Sequence, residues 1–299
     1  MKIGLTGATG FLGRYIVREL VRNGHSVRCW HQSSSNRDGF EQCAESIEWV
    51  TGRLGSLEGC QELVAGTQAV VHAALYRPGA AFRGGEGDLL TFVETNLQGT
   101  LQLITAARAA NVPRFVFIST CAVHEVVLDD RPLDEAHPLW ATSHYGAHKA
   151  AIEKFVHSFG LGEGYDICAL RPTGIYGISH DVPQSKWHDL VKAVTEGGAV
   201  ECRSGGKEVH AADVARAVHL LLTASGIAGQ AYNCFDRYVS QYDVASIAKR
   251  ISGSDAEIHG EQTSPKHQIE TGKIRALGME FGGAPLLEET IEQMVTAVG

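Results

Sequence analysis

Short apolar segments alternate with longer amphipathic segments through the first two thirds of the chain. The apolar segments have the composition of strands: KIGLT, SVRCW, IEWV, AVVHAA, RFVFIST and YDICALR. Segments 11–23, 56–65, 89–110 and 144–160 have the apolar spacing of helices. Repeated βα units form a parallel sheet, whose buried strands are nearly continuously apolar, as AVVHAA and RFVFIS are. The pattern therefore predicts an α/β fold with a doubly wound parallel sheet.

The regular alternation weakens after Arg171. Gly, Pro, Ser and His are frequent at 172–186 and 203–209, and an amphipathic segment, LLEETIEQMV, closes the chain. A core-like pattern returns in AADVARAVHLLL and AYNCF. We therefore predict a larger domain of residues 1–171, to which 206–234 return. Residues 172–205 and 235–299 are predicted to form a smaller C-terminal lobe that binds substrate.

The composition argues against several classes of function. The 299 residues carry a net charge of -8, and no basic stripe with interleaved aromatics is present, so a nucleic-acid partner is not expected. The sequence has no apolar stretch long enough to span a bilayer and no signal-peptide pattern, so we expect a cytoplasmic protein without a membrane partner. The seven cysteines occur singly, which predicts reduced thiols.

A glycine-rich loop follows the first predicted strand and opens the first predicted helix. Its glycines would permit a tight turn, a close approach of the backbone to a pyrophosphate, and close packing of helix on strand. The alternative is a glycine turn with a structural role only. The context favours a dinucleotide-binding loop in a Rossmann-type domain. The loop positions expected to contact the dinucleotide are Gly7, Thr9, Gly10, Phe11, Leu12 and Gly13.

The second predicted strand lacks the acidic residue that usually binds the adenosine ribose of NAD. It ends in Trp30-His31-Gln32, followed by a run of serines, an asparagine and Arg37. These hydroxyl, amide and guanidinium groups would suit a 2'-phosphate, which favours NADP over NAD by a small margin. A polar loop that merely meets solvent is an equal alternative. The candidate contacts are His31, Gln32, Ser33 and Arg37.

Tyr145 and Lys149 lie four residues apart at the start of a predicted helix, and hence on one face. An ammonium about 5 Å from a phenol would favour the phenolate by roughly 3 kcal/mol at an effective dielectric constant near 20. That would bring the phenol toward the range in which general acid/base catalysis is efficient. Ser119 and Thr120 end the preceding strand at the ligand-bearing edge of the sheet.

Taken together, these motifs resemble the extended branch of the short-chain dehydrogenase/reductase superfamily, which contains NAD(P)-dependent sugar epimerases, dehydratases and reductases. The resemblance covers most of the chain. It rests on TGATGFLG, VVHAA at 70–74, Asn96 in ETNLQGT, FVFIST, YGAHK, LRPTGIYG at 170–177, and Asp213 in HAADVARA.

The resemblance implies a role for each matched position. Tyr145 would be the acid/base, Lys149 would lower its pKa and hold the nicotinamide ribose, and Thr120 would bond the substrate oxygen. The other positions expected at the cofactor are Arg53, Leu54, Ala73, Ala74, Asn96, Pro172 and Thr173. Helices matching 96–110 and 144–160 pair across a twofold axis in proteins of this kind, so we expect a homodimer.

Several positions depart from the family pattern. Cys121-Ala122 stand where the dehydratases carry an Asp-Glu pair, so dehydration is not expected. Gly206 stands where nucleotide-sugar epimerases carry an arginine for the diphosphate, which favours a free sugar, a sugar acid or a polyol. His124 replaces a tyrosine and Arg53 an aspartate; either change could alter a pocket or have no effect.

Three further positions are candidates for substrate contact. Arg77, with Arg83 in the same loop, would suit a carboxylate or phosphate, although a solvated loop is the commoner explanation. Cys121 follows Thr120, and Trp187 could line the face of a sugar, although packing is again the commoner role. His144 and His148 have a spacing compatible with metal binding, but a third ligand is missing and no metal is expected.

The predicted function is hydride transfer at a hydroxyl of a sugar or sugar-derived molecule, assisted by Tyr145, Lys149 and Thr120. The sequence leaves open whether the outcome is epimerisation or net dehydrogenation or reduction. A third alternative is a non-catalytic NAD(P) sensor. Such sensors commonly lose the Tyr or the Lys, and both are present here.

Overall fold

A computed structural model of the protein describes residues 1–79 and 81–299. The strands in chain order are β1 Lys2–Thr6, β2 Ser26–His31, β3 Ile47–Thr51, β4 Ala69–His72, β5 Arg114–Ile118, β6 Asp166–Pro172, β7 Gly174–Tyr176, β8 Val200–Cys202, β9 Gly205–His210, β10 Gln230–Cys234, β11 Arg237–Ser240 and β12 Ile258–Gly260. The helices are α1 Phe11–Arg22, α2 Leu57–Val64, α3 Leu89–Val93, α4 Gly99–Ala109, α5 His144–His157, α6 His188–Thr195, α7 Ala211–Thr223, α8 Gln241–Ser252, α9 Gly272–Arg275 and α10 Gly283–Val298.

The chain forms two compact units, each built from three separate segments. The first unit contains Met1–Pro172, Val214–Cys234 and Ile269–Met279, and the second contains Thr173–Asp213, Phe235–Gln268 and Glu280–Gly299. Residues 206–213 thus lie in the second unit, because β9 pairs with β7 and β11. Residues 269–279 lie in the first unit, where Ile269 bridges to Leu133.

A parallel sheet forms the centre of the first unit. The described residues give it seven strands in the order β10-β6-β5-β4-β1-β2-β3. Every neighbouring pair is parallel, which confirms the predicted doubly wound α/β class. The central strands are buried on both faces, as their apolar sequences require, and Phe115 and Phe117 of β5 pack with Leu103 and Ile104 of α4.

Two helices of the first unit contain a wider turn. The helical segment that begins with α3 passes through a π-helical turn at Glu94–Gln98 before continuing as α4. A second π-helical turn, Ser158–Gly162, follows α5. Such turns often occur at functional sites, and the first of these contains Asn96, a predicted site residue.

The second unit has two small sheets and its own core. Strands β11, β9 and β7 form one sheet, and β12 pairs with β8 in the other. Its core contains Val191 and Val194 of α6, Val244 of α8, and Ile291 and Met294 of α10. Among the described residues of the whole chain, none of the helices has the length and apolar character needed to cross a membrane.

Candidate active site

The glycine loop after β1 is packed against the loop after β4. Gly7 has φ +76°, and a Cβ there would lie 2.8 Å from the backbone of both Ala73 and Ala74. Thr6 fixes the same contact, because its hydroxyl accepts hydrogen bonds of 3.1 Å from the backbone N–H groups of Ala73 and Ala74. A Cβ at Gly13 would collide with the carbonyl of Gly7. Only glycine fits at these two positions.

The backbone N–H groups in the first turn of α1 are directed toward this loop. Gly10 is the N-cap, and no described side chain caps the helix. Uncapped N–H groups at a helix N-terminus bind anions such as phosphate. The close-packed glycines and the uncapped helix therefore fit a dinucleotide pyrophosphate. The structure brings together the predicted contacts Gly7, Thr9, Gly10, Phe11, Leu12 and Gly13.

Arg14 joins this loop to the segment after β2, and no sequence pattern distinguishes it from a surface arginine. Its side chain is buried, and its guanidinium donates hydrogen bonds to the carbonyl oxygens of Thr9 at 3.2 Å, Asn36 at 2.8 Å and Asp38 at 2.5 Å. It also lies over the ring of Phe40. Arg14 thus holds in place the segment expected to meet the adenosine ribose.

The residues predicted for the adenosine end of the cofactor lie in loops that follow β2 and β3. Gln32 and Ser33 are exposed, and His31 packs edge-on against Trp49. Arg37 is also exposed, with its guanidinium 5.8 Å from the Trp49 ring. In the loop after β3, Arg53 is exposed whereas Leu54 is buried.

A chain of buried hydrogen bonds connects β1, β4 and the π-helical turn. Thr6 lies 2.7 Å from Nδ1 of His72, and Nε2 of His72 lies 2.8 Å from the hydroxyl of Thr100. Thr100 in turn donates to the carbonyl of Asn96. Burial, with the nearby charge of Lys149, lowers the pKa of His72 to about 3, so the imidazole is neutral.

Asn96 was predicted to contact the cofactor, and its side chain bonds the chain after β4. Its amide oxygen accepts from the backbone N–H of Tyr76, and its amide nitrogen donates to the carbonyl of Tyr76, both at 2.8 Å. The nitrogen also donates to the carbonyl of Phe92. Asn96 therefore positions the loop that leads from Ala73 and Ala74 toward Tyr145.

Tyr145, Lys149 and Thr120 come from α5 and from the end of β5. Ser143 caps α5, which carries Tyr145 in its first turn. The side chain of Thr120 acts on the phenol and lowers its pKa, against the larger effect of burial. One turn further along α5, the buried ammonium of Lys149 donates to the carbonyl of Ile118 at 2.7 Å and lies 4.6 Å from the Phe117 ring centroid. Burial lowers the pKa of Lys149 to about 7.

The pKa of Tyr145 differs from the expectation that Lys149 lowers it. Burial raises the pKa of Tyr145, and the effects that oppose this are the hydrogen bond with Thr120 and the positive charges of Arg83 and Arg77. The difference has a structural reason, because the Lys149 ammonium is directed to the carbonyl of Ile118. At neutral pH the phenol is therefore protonated in this structure.

Residues 75–79 and 81–88 contribute contacts to Tyr145 that the sequence did not reveal. The ring of Phe82 lies 5.5 Å from that of Tyr145, and the guanidinium of Arg77 lies 4.2 Å from the Phe82 ring centroid. The buried carboxylate of Glu86 accepts a hydrogen bond from the backbone N–H of Tyr145. This segment thus places the Phe82 ring against the Tyr145 ring and the Glu86 carboxylate at the start of α5.

Arg83 belongs to the same loop but has a carboxylate partner. Its guanidinium forms an ion pair of 2.9 Å with Glu125, which also accepts hydrogen bonds from the backbone N–H and hydroxyl of Ser143 at the start of α5. Arg77, the predicted substrate contact, has no such ion pair among the described residues. Its guanidinium instead donates to the carbonyl oxygen of Gly79 at 3.2 Å and lies over the Phe82 ring.

The two hydroxyl residues that end β5 have different surroundings. The hydroxyl of Thr120 accepts from the backbone N–H of Ala122 at 3.1 Å and lowers the pKa of Tyr145, whereas the buried hydroxyl of Ser119 donates to Glu153 at 2.5 Å. Glu153 is also paired with the buried guanidinium of Arg171. Ser119 therefore belongs to a structural network with Glu153 and Arg171, whereas Thr120 lies beside Tyr145.

His124 and Cys121 extend this network. His124 lies 3.1 Å from the Arg171 guanidinium through Nε2 and 3.2 Å from the carbonyl of Pro138 through Nδ1. Burial and the charge of Arg171 lower its pKa to about 4. The thiol of Cys121, a predicted substrate contact, donates to the carbonyl of Arg171, and burial raises its pKa to about 12. Cys121 is a neutral thiol in this environment.

His148 is a further buried titratable group beside Tyr145. Its ring lies 4.8 Å from that of Phe92 and 5.5 Å from that of Tyr145, and both nitrogens lack hydrogen-bond partners within the described part of the chain. Burial lowers its pKa to about 3. No group of three or more metal-ligating side chains occurs among residues 1–79 and 81–299.

The last predicted contacts lie at and beyond the end of β6. Pro172 is the final residue of β6 in the first unit. Thr173 and Trp187 belong to the second unit, in which the Thr173 hydroxyl is buried. Trp187 has φ +71°, an uncommon conformation for a bulky residue, and precedes α6.

The parallel sheet, the glycine loop at the end of β1 and the Tyr145–Lys149 pair on α5 define a class, namely the Rossmann-type enzymes of the extended short-chain dehydrogenase/reductase kind. Within that class, the sequence profile of the "NAD dependent epimerase/dehydratase family" matches residues 3–234, and the chain belongs to this family. The family is described by NAD, and nothing in the comparisons supports the preference for NADP.

Two characterised relatives and one solved structure illustrate the similarity. A UDP-glucose 4-epimerase of Rhizobium meliloti is 27% identical over 191 residues, a match that covers 62% of this chain and only 55% of that enzyme. A dTDP-glucose 4,6-dehydratase of Streptomyces niveus is 28% identical, and the match covers 78% of this chain and 72% of that enzyme.

The solved structure extends the similarity to the whole chain at the level of fold. It is a dTDP-glucose 4,6-dehydratase of Streptomyces venezuelae, crystallised with NAD and TYD bound, and it superposes with a TM-score of 0.80. The superposition covers 99% of this chain and 97% of that protein, at 23% sequence identity.

Proposed function

We propose that this protein is an NAD-dependent oxidoreductase or epimerase that acts on a hydroxyl of a sugar or a sugar-derived small molecule. The observation that carries the proposal is the placement of Tyr145 in the first turn of α5, where the Thr120 side chain acts on its phenol, with the buried ammonium of Lys149 one turn further along the helix. This is the arrangement that proton transfer to and from a substrate oxygen requires. A cofactor sensor would have no need of it.

Each residue has a separate part in the proposed reaction. The glycine loop and the first turn of α1 hold the pyrophosphate of the cofactor, and Lys149 bonds its nicotinamide ribose. When bound, the cofactor supplies the acceptor and donor of hydride. Thr120 orients the substrate oxygen, and Tyr145 holds the proton at its phenol oxygen.

The protonation state of Tyr145 bears on the direction of the reaction. Because burial raises its pKa, the phenol is ready at neutral pH to donate a proton to a carbonyl oxygen, which is the reductive direction. Oxidation of an alcohol requires that the phenol first lose this proton. The positive charges of Arg83 and Arg77 favour that loss and thus support the reverse step.

The proposed substrate is a sugar, and two features bear on its kind. The relatives named above act, by their names, on UDP-glucose and dTDP-glucose. In this chain, Arg77 lies beside the Phe82–Tyr145 ring pair and would suit an anionic group of the substrate, whether a sugar carboxylate or a phosphate. Trp187 is proposed as a contact for the sugar face.

We propose NAD rather than NADP as the cofactor. The support is the family description and the environment of the arginines near β2, since Arg14 donates to three backbone carbonyls and Arg37 lies over Trp49. Titrations of the protein with each nucleotide, followed by calorimetry, would measure the preference. Tighter binding of NADP would contradict the proposal.

The experiment that tests the function is an incubation of the protein with NAD or NADP and a panel of free sugars, sugar acids and nucleotide sugars. Nicotinamide absorbance and sugar products are followed together. A stoichiometric change in reduced cofactor identifies a dehydrogenase or reductase, and an altered sugar without net change identifies an epimerase. Cofactor binding without conversion of any substrate would instead identify a sensor and contradict the proposal.

The Tyr145→Phe variant tests the mechanism within the same assay. We expect it to keep cofactor binding and to lose turnover by a factor of about 10² to 10⁴, the usual contribution of a general acid/base. Tyr242→Phe, which changes a partly buried tyrosine of α8, is the matched control. Unchanged turnover in Tyr145→Phe would remove Tyr145 from the mechanism.

We also propose that the protein is a homodimer. Leu89, Leu90, Phe155 and Leu161, which lie on or just beyond α3 and α5, are exposed large apolar side chains, and such residues are common at interfaces. Light scattering during size-exclusion chromatography would show the mass of a dimer. The mass of a single chain would contradict this part of the proposal.

A further inference from the structure

His72 is a buried polar side chain to which the proposed reaction gives no part. It ends β4, and Thr6, its partner in register, ends β1 beside it. The His72 ring packs against aromatic rings, with its centroid 5.8 Å from that of Phe117 and 6.3 Å from that of Phe115. Yet both ring nitrogens have polar partners, namely the hydroxyls of Thr6 at 2.7 Å and Thr100 at 2.8 Å.

The hydroxyl of Thr100 fixes the proton on Nε2 of this ring. Thr100 donates its single hydroxyl proton to the carbonyl oxygen of Asn96 at 2.6 Å, because a carbonyl can only accept. The Thr100 oxygen must therefore accept from His72, since two acceptors facing each other at 2.8 Å would repel. Nε2 of His72 thus carries a proton.

The hydroxyl of Thr6 fixes the other ring nitrogen. Its oxygen accepts from the backbone N–H groups of Ala73 and Ala74, both at 3.1 Å, which occupies its two lone pairs. The Thr6 proton is then donated to Nδ1 of His72, which carries no proton itself. Burial lowers the pKa of His72 to about 3, in agreement with a neutral ring. The hydrogen bonds therefore run in one direction, from β1 to the π-helical turn.

This hydrogen-bond chain joins two groups that hold the backbone of residues 73–76. Thr6 bonds the N–H groups at the beginning of the segment. The Asn96 side chain bonds the N–H and the carbonyl of Tyr76 at its end, both at 2.8 Å. Because His72 connects Thr6 to the turn that carries Asn96, one network restrains the segment at both ends.

We infer that His72 is a positioning residue of the cofactor site. Its ring, in the Nε2–H tautomer, couples the glycine loop after β1 to the π-helical turn and keeps residues 73–76 in the conformation that meets the dinucleotide. A segment that is ordered before its ligand arrives loses less conformational entropy on binding, which raises the affinity. The inference rests on the NAD site of the proposed function and adds a residue whose two partners are both protein hydroxyls.

An apolar side chain could fill the same space but could not replace the ring. It would leave the Thr6 proton without an acceptor and the Thr100 oxygen without a donor, and buried polar groups in native proteins are normally paired. A residue with a purely structural role would affect only the free energy of unfolding. A positioning residue also affects the affinity for NAD, and this difference is measurable.

The first test compares two buried threonines that make the same local hydrogen bond. Thr100 and Thr290 are 1% and 2% exposed, and each donates to the carbonyl four residues earlier, at 2.6 and 2.7 Å. Only Thr100 belongs to the His72 chain. In calorimetric titrations of the intact protein with NAD, Thr100→Val should weaken binding about tenfold, the effect of one lost hydrogen bond. Thr100→Ser, which keeps the hydroxyl, and Thr290→Val should bind NAD as the parent does.

The second test observes the tautomer directly. Long-range ¹H–¹⁵N NMR correlations distinguish a protonated ring nitrogen from a bare one. The signals of His72 are those that His72→Phe lacks. We expect a bare Nδ1 and a protonated Nε2 at neutral pH, both before and after NAD is added. If His72→Phe fails to fold, the histidine signals that Thr100→Val shifts provide the assignment.

The third test is a double-mutant cycle on the affinity for NAD. Thr6 and Thr100 have no hydrogen bond to each other among the described residues, so any coupling between them passes through other groups. If His72 carries it, Thr6→Ala and Thr100→Val each break the same chain. Their combined effect on binding should then be smaller than the sum of the single effects.

Three results would overturn the inference: parental NAD affinity in Thr100→Val, a protonated Nδ1 on His72, and strictly additive effects in the cycle. If the parent binds NAD and any of these is found, the positioning role fails and the proposed function stands. A parent that binds no NAD would contradict the proposed function and the positioning role together. The NMR measurement would still decide whether the hydrogen-bond chain has the assigned direction.

Discussion

Arg171 and Glu153 form a fully buried ion pair in which the guanidinium contacts both carboxylate oxygens at 2.5 to 3.1 Å. Their side chains are 1% and 0% exposed. The pair joins the end of β6 to α5 and lies next to the end of β5, where Thr120 is found. The geometry of the candidate active site thus depends on a charge pair that has no contact with the reacting atoms.

Removal of one partner of this pair should be strongly destabilising. Glu153→Gln leaves the Arg171 cation buried without its counter-charge, and we expect a loss of about 3 to 5 kcal/mol in the free energy of unfolding. The control is Asp166→Asn, which breaks the more exposed Arg114–Asp166 pair and should cost about 1 kcal/mol or less. Urea unfolding measures both. Equal losses would contradict the structural role given to Glu153.

Ser119 and Thr120 are adjacent but should have opposite phenotypes. Ser119→Ala removes a hydrogen bond to buried Glu153 and should cost about 1.5 to 3 kcal/mol of stability with little change in kcat. Thr120→Val removes the hydroxyl that acts on Tyr145 and should lower kcat. It also removes the hydrogen bond that this hydroxyl accepts from the backbone N–H of Ala122, so a stability loss of about 1 kcal/mol is expected. Each variant is the other's control in paired unfolding and turnover measurements. A stable, fully active Thr120→Val protein would contradict the assignment of Thr120.

Gly7 and Gly24 have nearly the same φ angle but different surroundings. Their φ angles are +76° and +75°, yet a Cβ at Gly7 would meet the backbone of Ala73 and Ala74 at 2.8 Å, whereas a Cβ at Gly24 would meet nothing within 4 Å. Each Ala substitution should lower the free energy of unfolding by about 1 kcal/mol, because alanine is strained in a left-handed conformation. Only Gly7→Ala should also abolish NAD binding in calorimetry. Loss of binding in both variants would mean that strain, and not close approach, is the cause.

Three buried histidines should make the protein sensitive to acid. The pKa values of His72, His124 and His148 are lowered to about 3, 4 and 3, chiefly by burial. The unfolded chain binds these protons below about pH 6.5, so between that pH and the folded values it binds more protons than the folded protein. The free energy of unfolding therefore falls as the pH drops below 6.5, by about 1.4 kcal/mol per pH unit per histidine.

The contribution of a single histidine is measurable. His148→Leu removes two unpartnered ring nitrogens. Between pH 7 and pH 5, we expect the free energy of unfolding of this variant to fall by about 2 kcal/mol less than that of the parent. His259→Gln, which changes an exposed histidine of β12, should follow the parent. Urea unfolding at both pH values provides the comparison. Identical acid dependence in His148→Leu and the parent would show that His148 is not held neutral.

The fold class and the main site motifs could be predicted because their signals are local. The alternation of apolar and amphipathic segments indicates a parallel sheet, and the glycine loop and the Tyr145–Lys149 spacing each lie within one βα unit. Arg14 could not be identified in this way, because an arginine in the first turn of a helix has the same pattern whether it is solvated or buried. The partners that bury it, Asn36 and Asp38, lie more than 20 residues away.

Contacts between distant segments account for the remaining differences. Phe82 and Glu86 meet Tyr145 across about 60 residues of sequence, so nothing in their own loop indicates the contact. The raised pKa of Tyr145 depends on burial and on the direction of the Lys149 ammonium, neither of which follows from helical spacing. Residues 206–210 pair with β7 and β11. Pairing between distant strands cannot be predicted from the apolar pattern of one segment alone.

The position of β10 has a consequence for how the chain is made. This edge strand completes the parallel sheet by pairing with β6, although residues 173–229 separate the two in sequence. During synthesis, β6 therefore remains an unpaired edge strand until residue 234 has been translated. Unpaired edge strands can pair with strands of other chains. Synthesis speed and chaperone access over this stretch should accordingly influence the yield of native protein more than the same changes near the C-terminus.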